Sequence, residues 1–195
     1  MRAATQLFAA RGFEGTSTRD VAKKARVNES TIFRLFKNKH DLYLQILDST
    51  MGLGASEWLR PVLRTSDDPE QVFLALAGRL QELFNPMFLR LLFFAALEKP
   101  ELLHKRYTPG LLSFYQTLGR HIQEKVENET LRNIDPLLMG QALVGMIAYD
   151  RIVRDLFRGC DDWNHSLEDT SKIYTDIFLF GASSWKSAGR HRRAE

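Results

Sequence analysis

Apolar residues in the first 47 positions repeat at the spacing of amphipathic helices, and short polar stretches separate the repeats. The sets are Ala4, Leu7 and Phe8; Val21, Ala22 and Ala25; Ile32, Leu35 and Phe36; and Leu42, Ile46 and Leu47. Ser17 and Asn38 each precede an aspartate by three residues, as in a capping box, and Asn28 is a suitable helix cap. The pattern predicts three short helices and the start of a fourth, with breaks near 16, 27 and 38 and with each stripe facing a shared core.

The remainder of the 195-residue chain also has helical periodicity, interrupted by proline, glycine and acidic residues, and no alternating pattern that would indicate a sheet. We therefore expect an all-α fold. The predicted elements are a connecting helix over 41–63, broken near Gly52, Gly54 or Pro61, and helices over 69–84, 87–98, 110–128, 135–158 and 166–186.

Only Arg26 and Val27 separate the second predicted helix from the cap of the third, so the two helices must cross sharply. With its apolar residues turned inward, the third helix would present a polar face of a size that fits the major groove of DNA. That face comprises Asn28, Glu29, Ser30, Thr31, Phe33 and Arg34. Arg34 is suited to guanine, Asn28 to adenine or a phosphate, and Glu29 to a cytosine amino group. The alternative is a set of solvated positions on a short bundle helix.

Charge is distributed unevenly along the chain. Residues 1–47 hold nine Lys or Arg against four Asp or Glu, residues 48–185 hold fourteen against nineteen, and residues 186–195 hold four against one. The basic side chains near the predicted helix starts are Arg19, Lys23, Lys24, Arg26, Lys37 and Lys39. A basic amino-terminal segment is typical of phosphate binding, although a solvated face alone can have the same charge.

Residues 4–47 resemble the DNA-binding domain of the TetR family of transcriptional regulators. The matching positions are Ala4, Leu7, Phe8, Gly12, Phe13, Thr16, Ser17, Val21, Ala22, Ala25, Val27, Thr31, Ile32, Phe36, Lys39 and Leu42. With the exposed face and the basic residues, the resemblance predicts DNA contacts from Thr16, Ser17, Arg19, Arg26, Asn28, Glu29, Ser30, Thr31, Phe33, Arg34, Lys37 and Lys39.

Three residues depart from the family pattern. Arg26 replaces a turn glycine, and if that turn is left-handed the replacement costs about 1 kcal/mol. Ser30 also replaces a common glycine, and Phe33 replaces a tyrosine, so a phenol that typically meets phosphate is absent. The phenyl ring of Phe33 could contact a thymine methyl group instead.

The resemblance implies a TetR-like architecture of about nine helices. The expected divisions are a helix-turn-helix domain over 1–47, a helical effector-binding and dimerisation domain over 48–187, and a disordered basic tail over 188–195. The last two long helices would form the homodimer contact, unless their apolar stripes are only monomer core. The predicted interface residues are Ala142, Gly145, Ile152, Ile173, Ile177, Phe180, Gly181 and Ser184.

Large apolar side chains concentrate in the middle of the chain, where the resemblance implies an effector cavity suited to a small apolar or aromatic molecule. Its expected lining residues are Trp58, Phe84, Phe88, Phe93, Leu112, Tyr115, Met146 and Tyr149. The implied mechanism is that of a repressor, which binds a palindromic double-stranded operator as a dimer and is released by the effector. An activator is the open alternative.

Other classes of protein have weaker support. Glu101-x-x-His104 has the spacing of a helical-bundle metal site, but the second copy that such sites require is missing, so we expect no enzyme, cofactor or metal. A helical protein-interaction adaptor stays as the alternative. No apolar stretch reaches the length of about 18 residues needed to span a membrane, and no secretory leader is evident. The single cysteine, Cys160, agrees with a cytoplasmic location.

Overall fold

The computed structural model describes residues 1–51, 55–156 and 165–182. Within these ranges the chain is all-α, as predicted, and contains eleven helices and no β-strand. They are α1 Arg2–Arg11, α2 Thr18–Ala25, α3 Glu29–Leu35, α4 Lys39–Met51, α5 Ala55–Val62, α6 Pro69–Leu83, α7 Pro86–Glu98, α8 Pro100–Arg106, α9 Thr108–Glu127, α10 Pro136–Leu156 and α11 Leu167–Ala182.

The predicted breaks near residues 16, 27 and 38 are confirmed, since α2, α3 and α4 begin just after them. The count exceeds the expected nine because the connecting helix is two elements, α4 and α5, and because α8 was not predicted. Pro61 lies inside α5 and does not end it. The predicted break at Gly52 or Gly54, Cys160, Ser184 and the basic tail lie outside the described residues.

Contacts divide the chain into two units, which we call the amino-terminal unit (Met1–Leu53 with Pro86–Gly110) and the carboxy-terminal unit (Gly54–Asn85 with Leu111–Glu195). In the amino-terminal unit, α1 packs on α2, α4 and α7. Its fully buried side chains include Phe8 of α1, Leu42, Tyr43 and Ile46 of α4, and Leu91 of α7. Helices α7 and α8 therefore group with the first four helices, whereas the predicted domain boundary at residue 47 is a functional division that stays a prediction.

In the carboxy-terminal unit, α6 lies against α10 and α11. The ring centroids of Phe73 and Phe178 are 4.9 Å apart, and the Gln81 side-chain amide donates to Thr170 Oγ1 at 3.2 Å. Leu76 and Leu80 are fully buried in α6. Because burial of each leucine or phenylalanine contributes about 1.5–3 kcal/mol, these apolar contacts stabilise the unit.

Leu35 and Ala25 correct the predicted core. Leu35 is 63% exposed and Ala25 is exposed, whereas Ile32 is buried and Phe36 is half-buried. For Leu35 the physical reason is the shortness of α3. The helix ends at Leu35 and the backbone of Phe36 is extended, so Leu35 and Phe36 do not continue the buried helix face that Ile32 begins. Ala25 and Leu35 border a shallow apolar groove of about 280 Å³ that also includes Met1 and Val27.

No single helix in the described part of the chain has the length and apolar character to cross a membrane, although Pro69–Leu83 and Pro86–Glu98 taken together pass that test by length and composition only.

Candidate DNA-reading surface

The start of α2 is set by a complete capping box. Asp20 N donates to Ser17 Oγ at 3.1 Å, and Ser17 N donates to Asp20 Oδ2 at 3.2 Å. The hydrogen bond from the Ser17 hydroxyl holds the pKa of Asp20 below its usual value. Thr16, which was predicted to contact DNA, is buried. Its hydroxyl donates to Gly12 O at 2.9 Å and so stabilises the turn between α1 and α2.

The turn after α2 does require a left-handed residue. Arg26 has φ 57° and ψ 43°, and Val27 N donates to Ala22 O at 3.0 Å, as in a Schellman motif. Glycine is the residue that adopts this conformation without penalty, so Arg26 costs about 1 kcal/mol there. Its side chain is exposed, which leaves the guanidinium accessible to DNA.

Replacing Arg26 by glycine should therefore change stability and DNA binding in opposite directions. We expect R26G to raise the free energy of unfolding by about 1 kcal/mol, because the strain is relieved. It should weaken DNA binding and lower the salt slope by about one phosphate contact. Denaturant unfolding and salt-dependent fluorescence anisotropy measure the two effects. Lys24→Ala is the control, because it removes the charge of an exposed side chain from a residue with helical backbone. It should weaken DNA binding without raising the free energy of unfolding. An R26G protein less stable than wild type would contradict the strain argument.

Four predicted contact residues of α3 and its N-cap are exposed to solvent: Asn28, Ser30, Phe33 and Arg34. Asn28 is the N-cap residue by backbone geometry, but its side chain makes no capping hydrogen bond, contrary to the expected cap. The ring of Phe33 is 50% exposed. A half-exposed aromatic ring on a seven-residue helix is suited to an apolar contact with a base.

The other two predicted α3 contacts are less accessible. Thr31 and Glu29 are half-buried, and the hydroxyl of Thr18 donates to Glu29 Oε1 at 2.6 Å. Because this bond ties Glu29 to α2, it helps to fix the angle between α2 and α3. A contact of Glu29 with cytosine would have to leave or share this bond.

The predicted phosphate contacts are placed differently from one another. Arg19 and Lys37 are exposed. Lys39 is half-buried, with its Nζ donating to Phe13 O at 2.9 Å and lying 4.1 Å from the centroid of the Phe13 ring. The structure therefore gives Lys39 an intramolecular partner, and its phosphate contact stays a prediction.

In the carboxy-terminal unit, α10 and α11 pack together and each carries an outward apolar stripe. The predicted interface residues Ala142, Gly145, Ile173, Ile177, Phe180 and Gly181 are exposed, and Ile152 is half-buried. Phe180 is 80% exposed. Leu138 and Tyr149, also exposed, extend the stripe of α10 at helical spacing.

The predicted effector-binding residues are divided between the two units. Phe88 and Phe93 belong to the amino-terminal unit and the other six to the carboxy-terminal unit. Phe93, Leu112 and Tyr149 are exposed, Phe84 and Phe88 are buried, and Trp58, Tyr115 and Met146 are half-buried. Tyr115 borders an open groove of about 460 Å³ together with Arg120, Gln123, Asp135 and Leu137. Burial raises the pKa of its phenol.

Two charged pairs lie along α10, and the exposure of their four side chains is between 1% and 17%. Arg154 Nε lies 2.9 Å from both oxygens of Asp150, and Arg151 lies 2.6 Å from Asp155. Tyr174 of α11 donates to Asp150 at 3.3 Å. Because breaking a buried pair costs several times more than breaking an exposed one, these residues have a structural role that spacing alone did not indicate.

No three His, Cys, Asp or Glu side chains of the described ranges gather in a way that would hold a metal ion. The Nδ1 atom of His104, in the Glu101-x-x-His104 motif, lies 3.5 Å from the hydroxyl of Thr108.

Comparison with known proteins identifies the amino-terminal residues. Residues 1–46 match the amino-terminal family model described as bacterial regulatory proteins, tetR family. The chain is 49% identical over 45 residues to the HTH-type transcriptional regulator YvkB of Bacillus subtilis, and 46% identical over 48 residues to the HTH-type transcriptional repressor Rv3405c of Mycobacterium tuberculosis. These matches cover 23% and 25% of this chain, and about a quarter of each relative (24% and 26%).

Two solved structures resemble most of the chain. The TetR family transcriptional regulator PfmR of Thermus thermophilus has a TM-score of 0.70 at 22% identity, with coverage of 91% of this chain and 95% of that one. FadR of Bacillus subtilis, solved in complex with stearoyl-CoA, has a TM-score of 0.69 at 19% identity, with coverage of 92% and 96%. At these identities the likeness shows a shared fold.

YvkB and PfmR are both described as transcriptional regulators, which favours that class of protein over the metalloenzyme alternative. Residues 1–46 therefore form an amino-terminal segment of the type found in the TetR family of bacterial regulatory proteins.

Proposed function

We propose that the protein is a dimeric, effector-responsive repressor that reads a palindromic DNA site with α3. The observation that carries this proposal is the exposure of Asn28, Ser30, Phe33 and Arg34 on a short helix, which follows a sharp turn inside a basic segment. Side chains of this kind at the start of a recognition helix contact base edges in the major groove. Since DNA is the target, we place the protein in the cytoplasm.

Dimerisation through α10 and α11 is supported by the outward stripes on both helices. Contiguous exposed apolar side chains mark an interaction surface, and Ile173, Ile177 and Phe180 recur at helical spacing. A Cβ atom built at Gly145 or Gly181 meets no atom within 4 Å, so each glycine leaves room for a close helix neighbour. A two-fold axis through this face would present two copies of α3 to successive major grooves.

Effector response is supported by the fold shared with FadR of Bacillus subtilis, which was solved with stearoyl-CoA. We extend to this chain an apolar or aromatic effector bound in the carboxy-terminal unit. Binding of the effector would release DNA if the two ligands favour different conformations, with a coupling of about 1–3 kcal/mol. Repression is the direction named for Rv3405c, with which the chain shares its amino-terminal residues.

The test of this function is selection from random double-stranded DNA with the full chain. We expect enrichment of a palindrome whose half-sites are about 10 base pairs, or a multiple of that, apart from centre to centre. Affinity for the enriched fragment should fall steeply with salt. Retention of DNA without any enriched sequence, or no retention at low salt, would favour the protein-interaction adaptor.

Replacing Arg34 by alanine should relax base preference at one position of each half-site. A bidentate arginine contact with guanine discriminates by about 1–3 kcal/mol, and alanine cannot make that contact. The measurement is the affinity of R34A for the enriched fragment and for its single-base variants. Lys37→Ala is the matched control and should weaken binding to all fragments by a similar factor. An unchanged preference in R34A would remove Arg34 from base reading.

A further inference from the structure

The last residue of α7, Glu98, holds the turn that follows α1. Its Oε2 atom accepts hydrogen bonds from Phe13 N at 2.6 Å and from Glu14 N at 3.3 Å. Neither residue lies in a helix, and the carboxylate of Glu98 supplies both amides with an acceptor from a distant part of the sequence. A carboxylate that accepts backbone N–H groups makes stronger bonds than a neutral acceptor.

Two lysines reinforce the same turn. Lys39 of α4 donates to Phe13 O, and its ammonium group and that of Lys99 lie 4.1 Å and 4.5 Å from the centroid of the Phe13 ring. Lys99 also pairs with Glu14 at 2.7 Å, and this bond holds the pKa of the Glu14 carboxyl below its usual range. Residues 13 and 14 are thus held through backbone donors, a backbone carbonyl, a ring and a carboxylate.

The turn leads directly into α2 and α3, the two helices of the proposed DNA-reading surface. Buried Thr16 bonds back to Gly12, Ser17 caps α2, and Thr18 ties α2 to Glu29 of α3. A displacement at Phe13 would therefore be transmitted to α2 and α3 through hydrogen bonds with few residues between them.

Helix α7 is also the element by which the chain returns to the amino-terminal unit. Only Phe84 and Asn85 separate α6 from α7 in the sequence. Within the carboxy-terminal unit, the carbonyl oxygen of Phe84 accepts a buried hydrogen bond from Arg151 Nε of α10 at 3.1 Å. Each end of α7 is therefore adjacent to a specific polar contact, at Phe84 before its start and at Glu98 at its end.

From these contacts we infer that Glu98 is a positioning residue for DNA binding: its carboxylate fixes the turn between α1 and α2 against α7, and so sets where α2 and α3 lie when both half-sites are read. This inference rests on the proposed function. In this role Glu98 contacts neither base nor phosphate and acts only through the turn.

The test compares E98Q with wild type and with E101Q, using the fragment enriched by the wild-type chain and a fragment that carries one half-site. Glutamine keeps the size of the side chain but loses its charge, so the bonds to the two turn amides weaken. We expect E98Q to bind the two-half-site fragment about tenfold more weakly, within the usual range of coupling between sites. Binding to the single half-site should be unchanged, because α2 and α3 keep their own geometry.

E101Q is the matched control for charge, because Glu101 is exposed on α8 in the same unit. Removing a negative charge favours DNA binding by itself, so E101Q should bind both fragments as tightly as wild type or slightly more tightly. If E98Q binds DNA more weakly than wild type, the loss of negative charge cannot be the cause, because that change alone would strengthen binding. Amide hydrogen exchange at residues 13 and 14 should be faster in E98Q and unchanged in E101Q.

Equal losses of E98Q on both fragments would indicate a purely structural role and overturn the inference, as would unchanged binding to both. If the wild-type chain enriches no DNA sequence, the proposed function itself fails, and the wild-type arm shows this before any variant is measured. Selective loss on the two-half-site fragment, with faster exchange at the turn, is the result that supports the positioning role.

Discussion

Replacing Gly181 by arginine should convert the protein to a monomer and lower its affinity for the two-half-site fragment at least about a hundredfold. Gly181 lies in the last turn of α11 beside Ile177 and Phe180, on the outward apolar stripe. A charged side chain there would need to be desolvated in a helix-to-helix contact. Loss of the second reading helix removes the avidity gain, which reaches about 10²–10⁴ for linked binding modules. Sedimentation velocity and fluorescence anisotropy measure the two consequences.

The isolated chain should tolerate this change, and that makes the result interpretable. A Cβ at Gly181 meets no atom within 4 Å, and arginine has the higher helix propensity. Gly78 of α6 is the matched control, because its Cβ position is equally open and it lies outside the predicted interface. G78R should remain a dimer with normal affinity. If G181R also sediments as a dimer, the interface lies on another face.

Local signals explain why the amino-terminal helices could be predicted closely. The capping box at Ser17 and Asp20 spans three residues, and the family pattern has a glycine at the position of Arg26, where the turn is left-handed. Such features depend on side chains and amides that are neighbours in the chain. The helix boundaries and the exposure of Arg34 and Phe33 could therefore be inferred before any coordinates.

The contacts that could not be predicted join residues far apart in the sequence. Phe13 and Glu98 are separated by 85 residues, and Arg151 and Phe84 by 67. Nothing in the spacing of a lone glutamate at the end of an apolar helix identifies the amide that it will meet. The sequence also did not predict the exposure of Leu35. Periodicity indicates which residues share a face of a helix, but it does not indicate where the helix ends.

Lys39 has one role that its sequence position indicates and a second that only its contacts in the structure reveal. Its position in the family pattern and its charge both favoured a phosphate contact, yet its ammonium group is bonded to Phe13 and stacked on that ring. The same basic residue can hold the turn in the free protein, and the sequence has no feature that separates this role from DNA contact. Glu98 matches no position of the DNA-binding pattern, and its hydrogen bonds to the turn are visible only in the structure.

The second large effect is expected at Gly12, which ends α1 with φ 72° and ψ −176°. This backbone region is essentially restricted to glycine and costs other residues about 1–3 kcal/mol. A Cβ atom there would also lie 2.7 Å from Phe94 Cδ1 and would overlap Glu98 Oε1. Gly12→Ala should therefore lower the free energy of unfolding by about 3 kcal/mol, which corresponds to about 6–12 °C in the apparent melting midpoint. Thermal and denaturant unfolding monitored by circular dichroism measure it.

Gly78→Ala is the matched control for this substitution, because Gly78 lies within α6 and its Cβ position is open. Alanine is favoured over glycine in a helix by about 1 kcal/mol, so the same chemical change should stabilise the protein there. Opposite signs at the two positions would separate backbone conformation and crowding from any general effect of adding a methyl group. Because the crowding at Gly12 falls on Glu98, G12A should also reproduce the faster amide exchange expected at Phe13 and Glu14 in E98Q. A G12A protein as stable as wild type, with slow exchange at these amides, would mean that the turn is held less tightly by α7 than the hydrogen bonds of Glu98 imply.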